Sequence, residues 1–195
     1  MTLQAVLLAG GRASRMGGVD KPGLLVDGVS MRDRAIAAVV AASASPVLVV
    51  GPASDSVAAV RWVREDPPFA GPAAAVVTAL AAIGSDAADW TLLLACDLPR
   101  PEGAVRLLAD RIPSLAPESD GVCLADDDGR MQWLTGAYRT AALARAAAAL
   151  PDGGRDQPVR ALVAGLSVDV LADPEASARD VDTWEDYEEL TKEHP

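Results

Sequence analysis

The hydrophobic pattern of the chain alternates between short, continuous apolar runs and longer stretches in which apolar residues recur at helical spacing. Short continuous runs are typical of strands that are buried on both faces of a parallel sheet. We expect strands at QAVLLA (4–9), PVLVVG (46–51), VRWVRE (60–65), WTLLLAC (90–96), GVCLA (121–125) and VDVL (168–171). Helices are expected to start near Ser30, Gly71, Pro101, Arg139, Asp156 and Thr183.

This order of strands and helices predicts an α/β fold. We expect a single three-layer α/β/α domain over residues 1–195, Rossmann-like, with a mostly parallel sheet and some antiparallel strands. DDDGRM (126–131) is typical of a hairpin turn, and MQWL (131–134) is then the returning antiparallel strand. Pro72 just inside one helix start, and Thr183 with an acid three residues later, are typical of helix N-termini.

Charge and hydropathy narrow the range of partners. A formal charge of −11 repels polyanions at long range, so we expect no nucleic acid partner. The longest apolar stretches are well short of the roughly 20 residues that a bilayer crossing requires. The first residues lack the basic region of an export signal, so we expect no membrane contact and a cytoplasmic location. Cys96 and Cys123 lack CxxC spacing and are expected to be reduced core residues.

The chemistry of the chain is concentrated in residues 6–26, VLLAGGRASRMGGVDKPGLLV. A Walker loop is excluded because Lys21 lies between Asp20 and Pro22, and the glycines do not have the spacing of a dinucleotide fingerprint. Glycines at the end of a strand nevertheless let backbone N–H groups approach an anion. Arg15 and Lys21 can add charge-assisted hydrogen bonds. The loop therefore indicates a site for the phosphates of a nucleotide, and the alternative is a solvated turn.

These residues carry a family resemblance. LAGGRASRMGGVDKP (8–22) resembles the opening motif of nucleotidyltransferases, and within it RMGG-x-DK is most similar to the molybdenum cofactor guanylyltransferases. The resemblance continues through EDPPFAGP, LLLACDLP and DVDTWEDYEEL in the same order along the chain. It implies a nucleotidyltransferase domain that transfers GMP from GTP to molybdopterin or Mo-molybdopterin, releases pyrophosphate and uses Mg²⁺. It also implies transient contact with other molybdenum cofactor assembly proteins.

The resemblance also implies roles for individual residues. The nucleotide would be bound by Leu8, Ala9, Gly10, Gly11, Lys21, Asp66, Gly71, Asp97 and Asp182. Arg15, Lys21 and Asp97 would be catalytic, and Asp97 would hold the metal ion. From the residues alone, Asp97 could instead cap the turn before the next helix, and Asp66 could be a turn residue before two prolines. Asp180 and Asp182 could bind a second metal ion or be solvated acids.

Two segments depart from the family pattern. GPAAA (71–75) stands where relatives usually have Gly-Pro-Leu-Ala-Gly, and DVDTW (180–184) replaces amides and a proline. The first departure leaves the choice of guanine open. The alternatives are a transferase of the same fold that uses CTP or another acceptor, such as a sugar phosphate, and a nucleotide-binding regulatory module without turnover.

Overall fold

The computed structural model of the chain describes residues 1–11, 17, 19–54, 60–84, 87–181 and 183–192. Its strands are β1 (Leu3–Leu8), β2 (Leu25–Val26), β3 (Val29–Ser30), β4 (Val47–Val50), β5 (Arg61–Val63), β6 (Trp90–Ala95), β7 (Gly121–Ala125), β8 (Met131–Arg139) and β9 (Val168–Ala172). Its helices are α1 (Met31–Ala41), α2 (Pro72–Ile83), α3 (Pro101–Arg111), α4 (Thr140–Ala149), α5 (Val159–Val163) and α6 (Trp184–Lys192).

Seven strands form the central sheet in the order β5-β4-β1-β6-β8-β7-β9. The pairs β5/β4, β4/β1, β1/β6 and β7/β9 are parallel, whereas β8 runs antiparallel to both of its neighbours. The predicted α/β fold with a mostly parallel sheet and some antiparallel strands is therefore confirmed. The predicted hairpin between β7 and β8 is also confirmed, because the Asp126 N–H donates to the Arg130 carbonyl oxygen at 3.1 Å.

Helices cover both faces of this sheet, which explains the continuous apolar runs. Along β1, Leu3, Ala5 and Leu7 pack in one core cluster with α1 and α3, whereas Val6 and Leu8 pack in a second cluster with α2, α4 and α5. Successive strand residues point to opposite faces, so a strand covered on both sides is apolar at nearly every position. The result is the predicted three-layer arrangement.

Some elements differ from the sequence-based expectation. Strand β8 extends to Arg139 rather than ending near residue 134, and α5 begins at Val159 rather than near Asp156. Asp156 has φ of +56°, which is outside the helical region, and Pro158 precedes the helix. The predicted helix N-termini are confirmed: Pro72 is in the first turn of α2, and the Asp186 N–H donates to Thr183 Oγ1 at 3.1 Å. No helix in the described part of the chain could span a bilayer.

Candidate active site

Four parallel strands end at the same edge of the sheet. In the strand register, Leu8 at the end of β1 pairs with Val50 of β4 and with Ala95 of β6, and Val50 pairs with Val63 of β5. The ladder continues for one residue beyond these ends, because the Ala9 N–H donates to the Val50 carbonyl oxygen at 2.9 Å. Ligands of open α/β sheets bind in the crevice at this carboxyl edge.

A cavity of about 730 Å³ opens at this edge. Its described wall residues come from the loops after β1, β4, β5 and β6, from the start of α2 and from β8. They are Leu8, Ala9, Gly10, Gly11, Val19, Asp20, Lys21, Pro22, Pro52, Glu65, Phe69, Gly71, Pro72, Ala95, Asp97 and Leu134. Seven of the predicted site residues are thus brought together: Leu8, Ala9, Gly10, Gly11, Lys21, Gly71 and Asp97.

Gly10 and Gly11, here called the glycine turn, leave open space where side chains would otherwise lie. A Cβ atom at Gly11 would meet no protein atom within 4 Å, and one at Gly10 would be 3.8 Å from the nearest atom. Neither glycine has a positive φ, so backbone strain is not the reason for glycine here. Lys21 is half-buried, lines this cavity and begins a short 3-10 helix, Lys21–Gly23. The arrangement suits a phosphate group held by backbone N–H groups and a lysine.

The first turn of α2 is less suited to phosphate than the glycine turn. Pro72 has no N–H group, and the Ala73 N–H already donates to the Gln157 carbonyl oxygen at 3.2 Å. Gly71 has φ of +100°, and a Cβ there would lie 3.3 Å from Asp156 Cα. Gly71 therefore serves a close approach between two loops, and the anionic end of a ligand belongs at the glycine turn.

Gly51 follows β4 and permits a close approach to Ala9, a residue of the cavity wall. A Cβ at Gly51 would lie 3.0 Å from the carbonyl carbon and oxygen of Ala9. We expect Gly51→Ala to lower the free energy of unfolding by about 1–3 kcal/mol, because it crowds a packed backbone. Nucleotide affinity should fall as well, because Ala9 lines the cavity.

Chemical denaturation and calorimetric titration of the variant would measure these two effects. Gly165→Ala is the matched control, because a Cβ at Gly165 would meet no atom within 4 Å. Equal stability of the two variants would show that the contact between Gly51 and Ala9 does not constrain the strand ends.

Asp97 follows β6 on the opposite side of the glycine turn from β4. Its side chain is half-buried in the cavity wall, and its backbone carbonyl oxygen accepts a hydrogen bond from the Val181 N–H at 3.2 Å. The backbone of the late DVDT motif therefore contacts the backbone of the loop that carries Asp97. Asp182 itself, and likewise Arg15, lie outside the described residues, so their roles stay predictions.

The donor set fits a magnesium ion shared with a nucleotide. No cluster of three or more His, Cys, Asp or Glu side chains in the described ranges could hold a metal ion alone. Mg²⁺ usually binds one or two carboxylates together with substrate phosphates, and Asp97 supplies such a carboxylate in the cavity wall. Among the described wall residues, one cation, Lys21, stands against three carboxylates, Asp20, Glu65 and Asp97. A bound triphosphate therefore needs additional positive charge.

Asp66 lies beside the cavity but is not one of its described wall residues. It is exposed on the loop after β5, whereas its neighbour Glu65 is half-buried and contributes to the wall. Its predicted contact with the nucleotide stays a prediction. The sequence does not mark Glu65, Phe69 or Leu134 as site residues, because each lies in a run that also fits a strand or a turn.

A second cavity of about 610 Å³ adjoins the first and shares Ala9, Asp20 and Pro52 with it. Arg32 of α1 lines this second cavity, donates from Nη2 to Ser54 Oγ at 2.9 Å and lies 3.6 Å from Asp20 Oδ2 through Nη1. Its guanidinium carbon is 5.8 Å from the centre of the Trp62 ring. Arg32 therefore connects the end of the glycine-rich loop to the loop after β4, which the sequence did not predict.

The two cysteines are free and buried, as predicted. Burial raises the pKa of the Cys96 thiol far above its ordinary value, and the adjacent Asp97 carboxylate raises that pKa further. Burial also raises the pKa of Cys123, to about 11. Neither side chain is a thiolate at neutral pH, so neither is suited to nucleophilic catalysis.

Comparison with known proteins identifies the family. Residues 5–175 match the family described as the MobA-like NTP transferase domain. A probable molybdenum cofactor guanylyltransferase of Opitutus terrae is 33% identical over 195 residues, which cover 98% of this chain and 94% of the relative.

Two solved structures share the fold over nearly their whole length. A nucleotidyl transferase from Methanothermobacter thermautotroptrophicus aligns with a TM-score of 0.74 at 23% identity, covering 98% of this chain and 97% of its own. A Mycobacterium tuberculosis protein solved in complex with manganese aligns with a TM-score of 0.68 at 22% identity, covering 98% and 99%. With the family match spanning most of the sequence, the chain belongs to the MobA-like NTP transferase family.

Proposed function

We propose that this nucleotidyltransferase transfers GMP from GTP to the phosphate of molybdopterin or Mo-molybdopterin, with release of pyrophosphate. The observation that carries the proposal is that the glycine turn, Lys21 and Asp97 line one cavity at the carboxyl edge of the sheet. The relative from Opitutus terrae, named as a probable molybdenum cofactor guanylyltransferase, supports the choice of nucleotide and acceptor. We further propose that the whole chain forms one nucleotidyltransferase domain.

In the proposed reaction, an oxygen of the acceptor phosphate attacks the α-phosphorus of GTP in line. A bond forms between that oxygen and the α-phosphorus, and the bond from the α-phosphorus to the bridging oxygen of pyrophosphate breaks. A phosphate monoester is already a nucleophile at neutral pH, so the protein need not remove a proton. Its tasks are to position the two substrates and to neutralise charge.

The chain's own residues divide these tasks. The backbone at Gly10 and Gly11 would hold phosphate oxygens, and Lys21 and Arg15 would stabilise the charge that builds on the leaving pyrophosphate. Asp97 would hold Mg²⁺, which supplies positive charge at the α-phosphate when bound. Nucleotidyltransferases of this family generally use a divalent metal ion. The manganese complex of the Mycobacterium tuberculosis neighbour supports a divalent ion here as well.

The unusual GPAAA segment does not argue against guanine. Ala73, Ala74 and Ala75 are all buried, with at most 7% of their surface exposed. Ala73 and Ala75 belong to the core cluster on the α2 face of the sheet, and the described cavity wall includes only Gly71 and Pro72 from this segment. The replacement of a glycine by Ala75 therefore alters the packing of α2 rather than the described wall of the cavity.

A pyrophosphate-release assay tests the proposal and its metal requirement. With GTP, Mg²⁺ and molybdopterin, the wild-type protein is expected to release pyrophosphate, and an excess of EDTA should reduce release to background until Mg²⁺ is restored. CTP in place of GTP should give little release. Tight GTP binding without release would favour a regulatory module, and equal release with CTP would favour a transferase of broader specificity.

Contact with other molybdenum cofactor assembly proteins stays a prediction, as does the location of the protein in the cell.

A further inference from the structure

The residues that line the cavity differ in chemistry on the two sides of the glycine turn. The sheet order places β4 and β5 on one side of β1, and β6 and β8 on the other. The β6/β8 side of the described wall carries Asp97 and two aliphatic residues, Ala95 and Leu134. The β4/β5 side carries a carboxylate, Glu65, and an aromatic ring, Phe69. A cavity wall that carries both a carboxylate and an aromatic ring is suited to recognising a flat heterocycle with N–H donors.

Phe69 is held in an unusual position for an aromatic residue. It is the only phenylalanine of the chain, its side chain is 48% exposed and its φ is +64°, a region that bulky residues rarely adopt. The adjacent Ala70 is buried, and its carbonyl oxygen accepts from the Asp156 N–H at 2.7 Å, which anchors the loop. Strained, exposed apolar residues of this kind concentrate at ligand sites.

A cation lies against the Phe69 ring. The guanidinium carbon of Arg64 is 5.9 Å from the ring centre, within the range of a cation–π contact. A planar heterocycle that covers the exposed part of the ring would remove apolar surface from water. Stacking of this kind is tolerant of which base is present, because every base has a π-face. A contact with Phe69 would therefore favour planar rings in general, and another group would have to select among them.

Glu65 is suited to that selection. Glu65 lies two residues after Val63, the last residue of β5, which packs on the α2 face of the sheet. Because alternate strand residues point to the same face, Glu65 continues on that face. Its side chain is half-buried in the cavity wall. None of the ion pairs found among the described residues involves Glu65. An ionised carboxylate only accepts hydrogen bonds, so it favours a ligand edge with two adjacent donors.

We propose that Glu65 and Phe69 form a subsite for a 2-amino-4-oxopyrimidine edge, whose ring N–H and exocyclic NH₂ both donate to the Glu65 carboxylate while the ring stacks on Phe69. This proposal rests on the proposed function, because both of its substrates carry that edge: guanine in GTP and the pterin ring in molybdopterin. Cytosine places a ring acceptor beside its amino group, and uracil has one N–H between two carbonyl groups. Both would leave the carboxylate poorly matched.

Calorimetric titrations of GTP, ITP and CTP with Mg²⁺ into the wild-type protein, Glu65→Gln and Glu118→Gln test the guanine arm. ITP lacks only the exocyclic amino group, so wild type should bind GTP about tenfold more tightly than ITP, as expected for one charge-assisted hydrogen bond. Glu65→Gln should lose that preference and leave CTP affinity unchanged. Glu118→Gln, an exposed site outside the described cavity wall, should behave as wild type.

Steady-state kinetics with molybdopterin at saturating GTP test whether the pterin ring, rather than guanine, occupies the subsite; this is the pterin arm of the experiment. If the subsite takes the pterin, Glu65→Gln should raise the KM for molybdopterin about tenfold and leave the GTP/ITP preference intact. In either arm, Phe69→Ala should weaken binding of the same ligand about fivefold or more, and Phe69→Leu, which keeps apolar bulk without the π-face, should also weaken it. Glu65→Asp keeps the carboxylate on a shorter side chain, so its affinity for the same ligand should be intermediate between those of wild type and Glu65→Gln.

The outcomes separate this proposal from the proposed function. If wild type turns over GTP and molybdopterin but Glu65→Gln and Phe69→Ala match it in every arm, the subsite proposal is wrong and the proposed function stands. If folded wild type, checked by its thermal transition, neither binds GTP nor releases pyrophosphate, the proposed function fails and the subsite proposal with it. A loss confined to one ligand in the Glu65 and Phe69 variants supports the subsite and names its occupant.

Discussion

Replacing Asp97 with alanine is expected to lower the rate of pyrophosphate release by a factor of about a thousand or more. The reason is that the carboxylate is the described group best placed to hold the metal ion that offsets negative charge in the cavity. Loss of metal-ion stabilisation of a transition state is worth several kcal/mol, and each 1.4 kcal/mol corresponds to about a tenfold change in rate. Steady-state pyrophosphate release across a range of Mg²⁺ concentrations measures the effect.

Two further observations make the Asp97 prediction specific. The melting temperature should change by a few degrees at most, because the side chain is only half-buried. Asp110→Ala is the matched control, because Asp110 is exposed on α3 and is not part of the described cavity wall. A variant at position 97 that responds to magnesium as wild type does would mean that Asp97 caps the turn before α3 and that the metal ligand lies elsewhere.

Replacing Lys21 with alanine is expected to lower kcat/KM for GTP by about a hundredfold or more. Lys21 lines the cavity beside the glycine turn, and it is the only cation among the described wall residues. Removing one preorganised donor to developing negative charge typically costs a factor of about 10²–10³ in rate. Kinetics of GTP turnover would measure the loss, and Lys21→Arg should retain more activity than Lys21→Ala because it keeps the charge.

Stability separates a functional role of Lys21 from a structural one. A half-buried loop lysine contributes little to the fold, so the free energy of unfolding of Lys21→Ala should stay within about 0.5–1 kcal/mol of wild type. Arg106→Ala, which removes an exposed cation on α3 with a 3.9 Å ion pair to Glu175, is the control for charge loss alone. A drop in melting temperature that parallels the drop in activity would contradict the assignment.

The core strands could be predicted because a strand that is buried on both faces has a continuous run of hydrophobic residues. β1, β4 and β6 are buried at nearly every position, and only apolar residues tolerate that environment without unpaired polar groups. The Gln4 side chain is the exception in β1, and it is satisfied by the Thr91 hydroxyl at 2.9 Å. Such strands are therefore visible as continuous hydrophobic runs.

The full extent of β8 was not predictable in the same way because a bulge interrupts it. Cys123 of β7 pairs with Gly136 and the next residue, Leu124, pairs with Gln132, so residues 133–135 are extra in β8. The bulge is held by a hydrogen bond from the Tyr138 hydroxyl to the Trp133 carbonyl oxygen at 2.8 Å. It places Leu134 in the cavity wall, and bulges commonly re-aim side chains next to active sites.

A smaller hairpin, β2–β3, was missed although the sequence does contain its signal. Asp27 and Gly28 both have positive φ, at 51° and 79°, which is the pattern of a type I′ hairpin turn. An Asp-Gly pair between Leu25–Val26 and Val29–Ser30 is a recognised sign of such a turn, but each strand has only two residues. Hydrophobic alternation cannot be recognised over so short a length.

The site divides into parts that local sequence shows and parts that only the fold brings together. The shared position of the glycine turn, Lys21 and Asp97 at one edge of the sheet could be predicted, because the first two lie in one motif after β1 and Asp97 closely follows β6. The presence of Glu65 and Phe69 in the cavity wall could not be predicted, because it depends on the register of β4 with β5 and on the loop anchored at Asp156. The difference is one of sequence distance: contacts made across the sheet leave no local pattern.

A crystal structure of the protein with GTP and Mn²⁺, with anomalous data collected for manganese, would locate the nucleotide and the metal ion. We expect an anomalous peak bonded to an Asp97 carboxylate oxygen and to a phosphate oxygen of the nucleotide, with the triphosphate lying against Gly10, Gly11 and Lys21. Nucleotide density on another face of the sheet, or a manganese peak that does not touch Asp97, would contradict it.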